Sequence, residues 1–167
     1  MPAISINEVS EDALNLVNMM NGILSRVETV YQDHNVPLPA RRYWTLGTAV
    51  VDSEQVVISF NRMYLGPVGA QMTQPYKGIS PRTATVTISI AREVPVVGMN
   101  GRPPKPEQIQ EAANSSAIDA WVLMQAMRLF DQWEGYGNGM GVIATVEAAD
   151  TEGGFQIVSM ELTLAVP

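Results

Sequence analysis

The chain of 167 residues contains no cysteine, one histidine and charged side chains at only 16% of its positions. The absence of cysteine excludes disulfides and thiolate metal ligands, and it is compatible with a reducing cytoplasm. Zinc sites use several His or Cys ligands, which His34 alone cannot supply. A Ser-His-Asp site would also depend on His34, which lies in a polar, proline-flanked segment without a nucleophile motif. We therefore predict no metal, no cofactor and a solvated loop position for His34.

Basic residues are scarce as well, because ten Lys and Arg residues stand against seventeen Asp and Glu, for a formal net charge of -7. Grooves that bind nucleic-acid phosphates need clustered cations, whereas Arg41, Arg42 and Arg62 are few and scattered. No apolar run approaches the ~20 residues of a membrane span, and residues 1–10 lack the pattern of a signal peptide. The sequence predicts a soluble protein that neither holds nucleic acid nor enters a membrane.

Hydrophobic residues are plentiful by comparison, at 46% of a chain whose length matches one domain. Ordinary soluble domains carry about 25% charged residues, well above the share in this chain. The shortage of charge indicates that neighbouring molecules cover part of the monomer's surface.

Two long amphipathic helices are predicted. Ser10 can cap the first helix, which runs to about Gln32 because the Val36-Pro37-Leu38-Pro39 segment cannot continue it. Pro106 suits the first position of the second helix, which runs to about Glu134 before a glycine. The middle of the second helix is apolar around most of its circumference, so it is either sandwiched within the protein or in contact with another chain.

Five strands are predicted, at about 43–51, 55–65, 83–94, 142–148 and 155–166; the first is indicated by its aromatic and β-branched content, and the second, third and last by alternating faces. Asp52-Ser53 is a plausible turn, so the first two strands are expected to form a hairpin, as are the last two. The third strand has one apolar face and one uncharged polar face of Thr and Ser. The polar face suits contact with either solvent or another protein surface. We predict an α+β fold in which a mainly antiparallel sheet of four to five strands packs with two long helices in a single domain, residues 1–167.

Two patterns invite a catalytic or ligand-binding interpretation. Asp52 with Glu54 and Asp150 with Glu152 are carboxylate pairs, but both lie at predicted hairpin tips, where turn chemistry explains them. The glycines at positions 135, 137, 139 and 141 close a helix and enter a strand, whereas phosphate-binding loops follow a strand and open a helix. We therefore predict no catalytic residue, and we do not expect the chain to be an enzyme.

Three segments of the chain are recognisable together. They are Asp52-Ser53-Glu54-Gln55-Val56-Val57-Ile58, residues 83–97 with the ending Ala91-Arg92-Glu93-Val94-Pro95, and residues 106–127 with Asp119-Ala120. In this order they resemble the tail terminator proteins of long-tailed phages of actinobacteria, a head-tail joining family, and the likeness covers nearly the whole chain. The chain departs from the pattern at Ser53 and near Glu93, where many members have Cys.

The resemblance implies a virion protein that is assembled in the cytoplasm of the bacterial host and lies at the head-tail junction. Six copies would form a ring that caps the tail tube, stops its polymerisation and joins it to the head-side connector or stopper protein. The implied partners are further copies of the chain, the major tail tube protein and that connector. Genome DNA would pass through the ring without specific binding, which suits an acidic protein.

Contacts with the tube and with neighbouring copies are expected from the long loop at 66–82, the hairpin strands and the exposed apolar part of the second helix. Loops of this length without secondary structure commonly have a function, and aromatic residues are enriched at interface hot spots. Core packing is nevertheless the default expectation for Trp121. The candidate interface residues are Tyr64, Met72, Tyr76, Lys77, Arg82 and Trp121.

Two alternatives stay open on the sequence. Another head-tail connector or stopper ring shares the size, the acidity and the ring assembly. From a different class, the chain could be a small soluble α+β ligand-binding module or an enzyme with a carboxylate site, for which Asp150 and Glu152 are the residues to test.

Overall fold

The fold is one five-stranded sheet with two long helices packed against one of its faces. A computed structural model describes residues 11–69, 82–99, 101–131, 142–148 and 153–166. The strand order across the sheet is β1-β2-β3-β5-β4, and all neighbours except β1 and β2 are antiparallel. The predicted α+β fold, a mainly antiparallel sheet with two long helices, is confirmed. In chain order the elements are α1 (Glu11–Asp33), β1 (Arg41–Leu46), β2 (Gln55–Leu65), β3 (Arg82–Glu93), α2 (Pro106–Asp131), β4 (Val142–Ala148) and β5 (Phe155–Val166).

The hydrophobic core lies between the two helices and every second side chain of the strands, as the pleat of a sheet requires. Each large apolar side chain that is fully buried there stabilises the fold by about 1.5–3 kcal/mol. The alternation predicted for the third and last strands is confirmed, and that of the second strand holds as far as Phe60. The buried core residues are Met19, Met20, Ile23, Val27, Val30 and Tyr31 of α1, Val122, Leu123 and Ala126 of α2, and Val56, Ile58, Ala84, Val86, Ile88, Ile90, Val158, Met160, Leu162, Leu164 and Val166 of the strands.

The opposite face of the sheet carries the alternate residues of β3, of which Thr83 and Thr85 are buried and Thr87 and Ser89 are half-buried. We call it the open face, because neither helix covers it. Its side chains are mostly short and hydroxylated, as the sequence predicts for the polar side of the third strand. Any function of this face therefore depends on hydrogen bonding and on the few charges placed there.

α1 ends in a Schellman motif. The N–H of Val36 donates to the carbonyl oxygen of Tyr31 at 2.9 Å, and the N–H of Asn35 donates to that of Gln32 at 3.1 Å. Asn35 has a φ of 52°, the left-handed conformation that this motif requires and that Asn tolerates better than most residues. The predicted end of the helix near Gln32 is confirmed, and Pro37 follows as a second stop.

The predicted hairpin between the first two strands is wrong, because β1 and β2 are parallel. β1 stops at Leu46 and does not reach Val51. Gly47 turns the chain there with a φ of 76°, and its N–H donates to the carbonyl oxygen of Phe60 in β2 at 2.9 Å. Glycine adopts this left-handed conformation without steric cost, so the chain leaves the sheet at this point.

Residues 48–54, which follow Gly47, carry the chain back to the start of β2. The Nε2 of Gln55 donates to the carbonyl oxygen of Val50 at 2.8 Å and fixes this segment against the open face. Asp52 and Ser53 do lie in a bend, as predicted, but the bend leads into β2 after a crossover. Turn chemistry reports where the chain bends and not how the flanking strands are directed.

The remaining boundaries agree with the prediction to within a residue. α2 begins at Pro106, β3 spans Arg82–Glu93, and β4 and β5 form the predicted antiparallel hairpin. The predicted helix cap at Ser10 and the predicted helix end near Glu134 lie outside the described residues.

Candidate interaction surfaces

Two of the predicted interface residues lie at the same end of the sheet, where β2 ends and β3 begins; residues 70–81 of the predicted loop lie outside the described residues. Tyr64 pairs with Thr83 and Leu65 pairs with Arg82 in the β2-β3 ladder. Tyr64 and Arg82 are both half-buried. Their roles in an interface stay predictions. The candidates that lie outside the described residues are Met72, Tyr76 and Lys77.

A β-bulge decides which way this end of β2 faces. The register against β3 shifts between Phe60 and Arg62, with Asn61 as the extra residue. Beyond the bulge Tyr64 lies on the open face, whereas Leu65 turns to the helix side and is 69% exposed. The sequence pattern did not indicate the bulge, because an unbroken period of two was assumed along the whole strand.

Trp121 lies on α2, on the other side of the sheet from Tyr64. It is 38% exposed, so the default expectation of core packing is wrong. Its ring meets that of His34 edge-on, with 4.7 Å between the ring centroids and an interplanar angle of 80°. His34 is exposed, as predicted, but it also supports Trp121 through this contact.

Ile118 and Met124 extend the exposed apolar area around Trp121, and we call these three residues the α2 surface. Ile118 is 43% exposed and Met124 is 49% exposed. Between residues 112 and 126 the helix has one charged residue, Asp119, and that residue is fully buried. α2 is therefore packed on one side and leaves an uncharged, apolar side uncovered by the described part of the chain. Exposed apolar patches of this kind mark contact sites for other molecules.

A second apolar surface lies where the segment after β3 meets the first turns of α2. Val96, Val97 and Met99 are more than 60% exposed there, and Ile109 is 53% exposed. We call the adjoining depression the loop groove; its volume is about 490 Å³. The sequence analysis missed it, although the Val94-Pro95-Val96-Val97 run in a loop was an available signal. The groove is lined by Val94, Pro95, Val96, Ile109, Ala112, Ala113, Gly154 and Gln156.

The open face is a hydroxyl-rich surface with two carboxylates. Asn61 Nδ2 donates to Thr87 Oγ1 at 2.7 Å. Glu147 on β4 and Glu161 on β5 lie beside Thr87 and Thr145 in a shallow depression of about 280 Å³. Both glutamates are exposed. The β4-β5 side of this face therefore offers hydrogen bonds and negative charge to whatever lies next to it, whereas Arg41 adds a positive charge at the β1 edge.

Three polar residues are joined by hydrogen bonds inside the protein. We call Tyr31, Arg92 and Asp119 the buried ion cluster. The Nε of Arg92 donates to Asp119 Oδ2 at 2.8 Å, and its second terminal nitrogen donates to Asp119 Oδ1 at 2.9 Å and to the carbonyl oxygen of Pro37 at 2.7 Å. The Tyr31 hydroxyl donates to Asp119 Oδ1 at 2.5 Å. The cluster thus joins α1, β3 and α2, with Asp119 fully buried.

The electrostatics of the cluster follow from this geometry. Burial raises the pKa of the Tyr31 phenol, and the neighbouring Asp119 carboxylate raises it further. Burial alone lowers the pKa of Arg92, but the hydrogen bonds and the charge of Asp119 outweigh it, so the pKa of Arg92 is raised overall. Tyr31 is therefore held neutral and Arg92 charged, the states in which both donate to Asp119.

Sequence reasoning missed the cluster, although two signals were present. Arg92 follows Ile88 and Ile90 at alternate positions of β3. The two-residue period of a strand therefore places this cation on the core face. Asp119 lies one helical turn before Val122 and Leu123, so the period of α2 places a carboxylate on the same core. Opposite charges at core positions of two elements predict a buried pair.

The raised pKa of Tyr31 predicts a loss of stability in alkali. Below the unfolded-state pKa of about 10.0 the contribution of Tyr31 is fully present. Above it the unfolded chain releases the phenol proton while the folded chain keeps it, so the free energy of unfolding is expected to fall by about 1.4 kcal/mol per pH unit. Urea unfolding at about pH 9, 10 and 11, below, at and above the unfolded-state pKa, checks this, with Tyr31→Phe as the control. An equal slope in wild type and control would contradict the assignment.

Of the carboxylates considered for chemistry, Asp52 and Glu54 lie in the described residues, and both are engaged in ion pairs. Asp52 pairs with Arg41, and Glu54 lies 3.7 Å from Arg92 and accepts a hydrogen bond from the N–H of Glu93. Among the residues that the structure describes, no three His, Asp or Glu side chains are grouped closely enough to hold a metal ion. Asp150, Glu152 and the glycines at 135, 137, 139 and 141 lie outside those residues.

No protein-family model matches the chain, and a search of the curated proteins finds no match. The helices in the described ranges lack the combined length and hydropathy of a membrane span. The fold and the surfaces therefore define the class: an α+β protein with one sheet, two helices on one face of it, and two exposed apolar surfaces.

Proposed function

We propose that this protein is a phage tail terminator, which forms a hexameric ring at the head-tail junction, caps the tail tube, stops its polymerisation and joins it to the head connector. The observation that supports this best is the presence of two unlike apolar surfaces, the α2 surface and the loop groove, on one acidic chain. A ring at a junction needs, besides the head-to-tail contact between its copies, separate surfaces for the molecules above and below it.

The buried ion cluster also supports the proposal. All three segments that carry the resemblance meet at Arg92, which belongs to the second segment. Asp119 of the third segment accepts its two hydrogen bonds, and Glu54 of the first segment lies 3.7 Å from it. Residues that recur together in a family because they stabilise a common fold are expected to meet in this way.

The charge of the protein is consistent with a DNA channel. The net charge is -7, and Glu147 and Glu161 add exposed carboxylates to the open face. Negative potential repels phosphate, so genome DNA is expected to pass without specific binding.

Deletion of the gene from its phage tests the proposal. Electron microscopy of the lysate is expected to show overlong or unjoined tails beside filled heads, and a plasmid copy of the gene is expected to restore normal particles. Tails of normal length beside leaking or unattached heads would assign the protein to the connector or stopper ring instead. Normal infectious particles without the gene would overturn a virion role.

One observation favours a different class as the second candidate. The volume of the loop groove, about 490 Å³, falls in the range of about 300–1,000 Å³ that small-molecule sites occupy. A ligand-binding module would retain a metabolite in that groove. Native mass spectrometry of the purified protein tests this, because a bound mass that is lost on substitution of Ile109 by Asp would favour the binding module over the ring.

A further inference from the structure

The two edge strands of the sheet differ in direction. β1 is parallel to β2, β2 is antiparallel to β3, β3 to β5, and β5 to β4. β1 and β4 therefore run in opposite directions on opposite edges of the sheet, with six and seven residues respectively. In the described part of the chain no further strand pairs with either edge. Edge strands present free backbone N–H and C=O groups that another strand can complete.

The opposed directions suit a contact between two copies in the same orientation. If two copies lie side by side in the same orientation, β4 of the first runs antiparallel to β1 of the second. The two strands have nearly equal length, so such pairing satisfies most of the free backbone groups on both edges. A contact of this kind is head-to-tail, because each copy offers a different edge to each neighbour.

Side chains on the two edges are complementary on the helix side. The register across the sheet places Trp44 of β1 and Val146 of β4 in one row, through Ile58, Ile88 and Met160. Trp44 and Val146 are both partly buried and packed against the core. Across such a contact, Val146 of one copy would lie opposite Trp44 of the next. An aromatic residue opposite a β-branched residue stabilises antiparallel strands.

The open-face side chains of the edges are complementary in charge. Glu147 of β4 shares a row with Tyr43 of β1, and Arg41 lies two residues before Tyr43 on the same face. With rows aligned, Glu147 of one copy lies diagonally across from Arg41 of the next, within reach of long side chains. Arg41 also pairs with Asp52, but its side chain is 50% exposed and open to a second carboxylate.

Pairing of like edges is less favourable. In a two-fold antiparallel contact centred on β1, Arg41 of one copy would lie opposite Leu46 of the other, and in one centred on β4, Glu147 would lie opposite Ile143. Neither symmetric contact pairs a carboxylate with a cation, whereas the contact of β4 with β1 does, so the charges favour the latter.

We propose that β4 of one copy pairs antiparallel with β1 of the next, so that the sheet continues from subunit to subunit. This deepens the proposed function and rests on it for the closure of the chain of copies into a ring. The open face then forms one continuous surface around the assembly, and the α2 surface and the loop groove stay available for other contacts.

Cysteine cross-linking tests the proposal, since the native chain contains no cysteine. Thr45 of β1 and Thr145 of β4 share one row on the open face. Within one copy they lie four strand spacings apart, roughly 19 Å, too far for a disulfide. Across the proposed contact their Cα atoms would lie about 4.5–5.5 Å apart, which a disulfide accepts.

The double variant Thr45→Cys/Thr145→Cys is therefore expected to shift from monomer to a ladder of covalent oligomers on mild oxidation of the concentrated protein. A second pair, Tyr43→Cys/Thr145→Cys, covers a register shifted by two residues. The control pair Thr29→Cys/Thr145→Cys uses an exposed position on α1 and is expected to stay without a ladder. Adding Arg41→Glu is expected to weaken the ladder, and adding Glu147→Arg as well is expected to restore it.

The outcomes separate this proposal from the proposed function. Absence of a ladder with both cysteine pairs, while each variant unfolds like the wild type under reducing conditions, overturns the edge pairing. If those variants still restore normal tails to the deletion phage, termination stands and the copies contact one another differently. A ladder from a gene whose deletion leaves normal particles would support edge pairing and overturn the terminator role.

Discussion

Replacing Asp119 with alanine is expected to lower the free energy of unfolding by about 3–5 kcal/mol, because breaking a buried ion pair leaves an uncompensated charge in the interior. Asp119 is fully buried and accepts hydrogen bonds from Arg92 and Tyr31. Without it the Arg92 side chain, 11% exposed, keeps the Pro37 carbonyl and the more distant Glu54. Domains have a total stability of about 5–15 kcal/mol, so the loss is a large fraction of it. Urea unfolding followed by circular dichroism measures it.

Glu111→Ala is the matched control, since Glu111 is an exposed carboxylate on the same helix, and its expected effect is within about 0.5 kcal/mol. The double variant Arg92→Leu/Asp119→Leu removes both charges and is expected to recover part of the lost stability. If Asp119→Ala and Glu111→Ala unfolded at the same urea concentration, the buried ion cluster would not stabilise the fold.

Replacing Leu123 with alanine is expected to cost about 2–5 kcal/mol, from the lost burial and the cavity left behind. Leu123 is completely shielded from solvent and is among the largest fully buried side chains. Alanine is the best helix former, so the loss arises from packing and not from helix propensity. Thermal and urea unfolding of the variant measure the effect.

Met124→Ala is the matched control for this second prediction. Met124 is the next residue of α2, but it is 49% exposed as part of the α2 surface. Its truncation is expected to cost less than about 1 kcal/mol. Equal losses for Leu123→Ala and Met124→Ala would contradict the orientation of α2. A stable Met124→Ala protein that fails to restore tails would instead link the α2 surface to assembly.

The buried ion cluster sets the positions of the surfaces that the proposed function uses. The bond between Arg92 and Asp119 fixes α2 against the end of β3, and the loop groove lies directly beyond that point. The Tyr31 bond fixes the end of α1, where His34 supports Trp121. A change in the cluster is therefore expected to affect assembly as well as stability, and the two effects need separate measurement.

Part of the candidate surfaces was predictable from the sequence. The apolar circumference of α2 indicated that the helix is either sandwiched within the protein or in contact with another chain, and the described residues leave the α2 surface uncovered. The position of Trp121 on it was not predictable, because a 3.6-residue period does not say which arc of an apolar helix meets the sheet. The interface roles of Tyr64, Arg82 and Trp121 stay predictions.

The sequence by itself determined the fold class, the two helices and four of the five strands. Pro106 marks the start of α2, the proline segment after α1 marks its end, and alternation in β3 and β5 identifies the core face. These signals are local, since they depend on residues within one or two turns of a helix or along one strand.

Only the tertiary structure decided the direction of β1, the bulge at Asn61 and the pairing of Arg92 with Asp119. Each of these depends on residues distant in sequence: Gly47 bonds to Phe60, the β2 register is set against β3, and Arg92 meets a carboxylate on α2. Local propensity carries no information on which strand lies alongside or which buried charge stands opposite. Packing decides them, because a buried charge or an unpaired backbone group must find its partner in the folded chain.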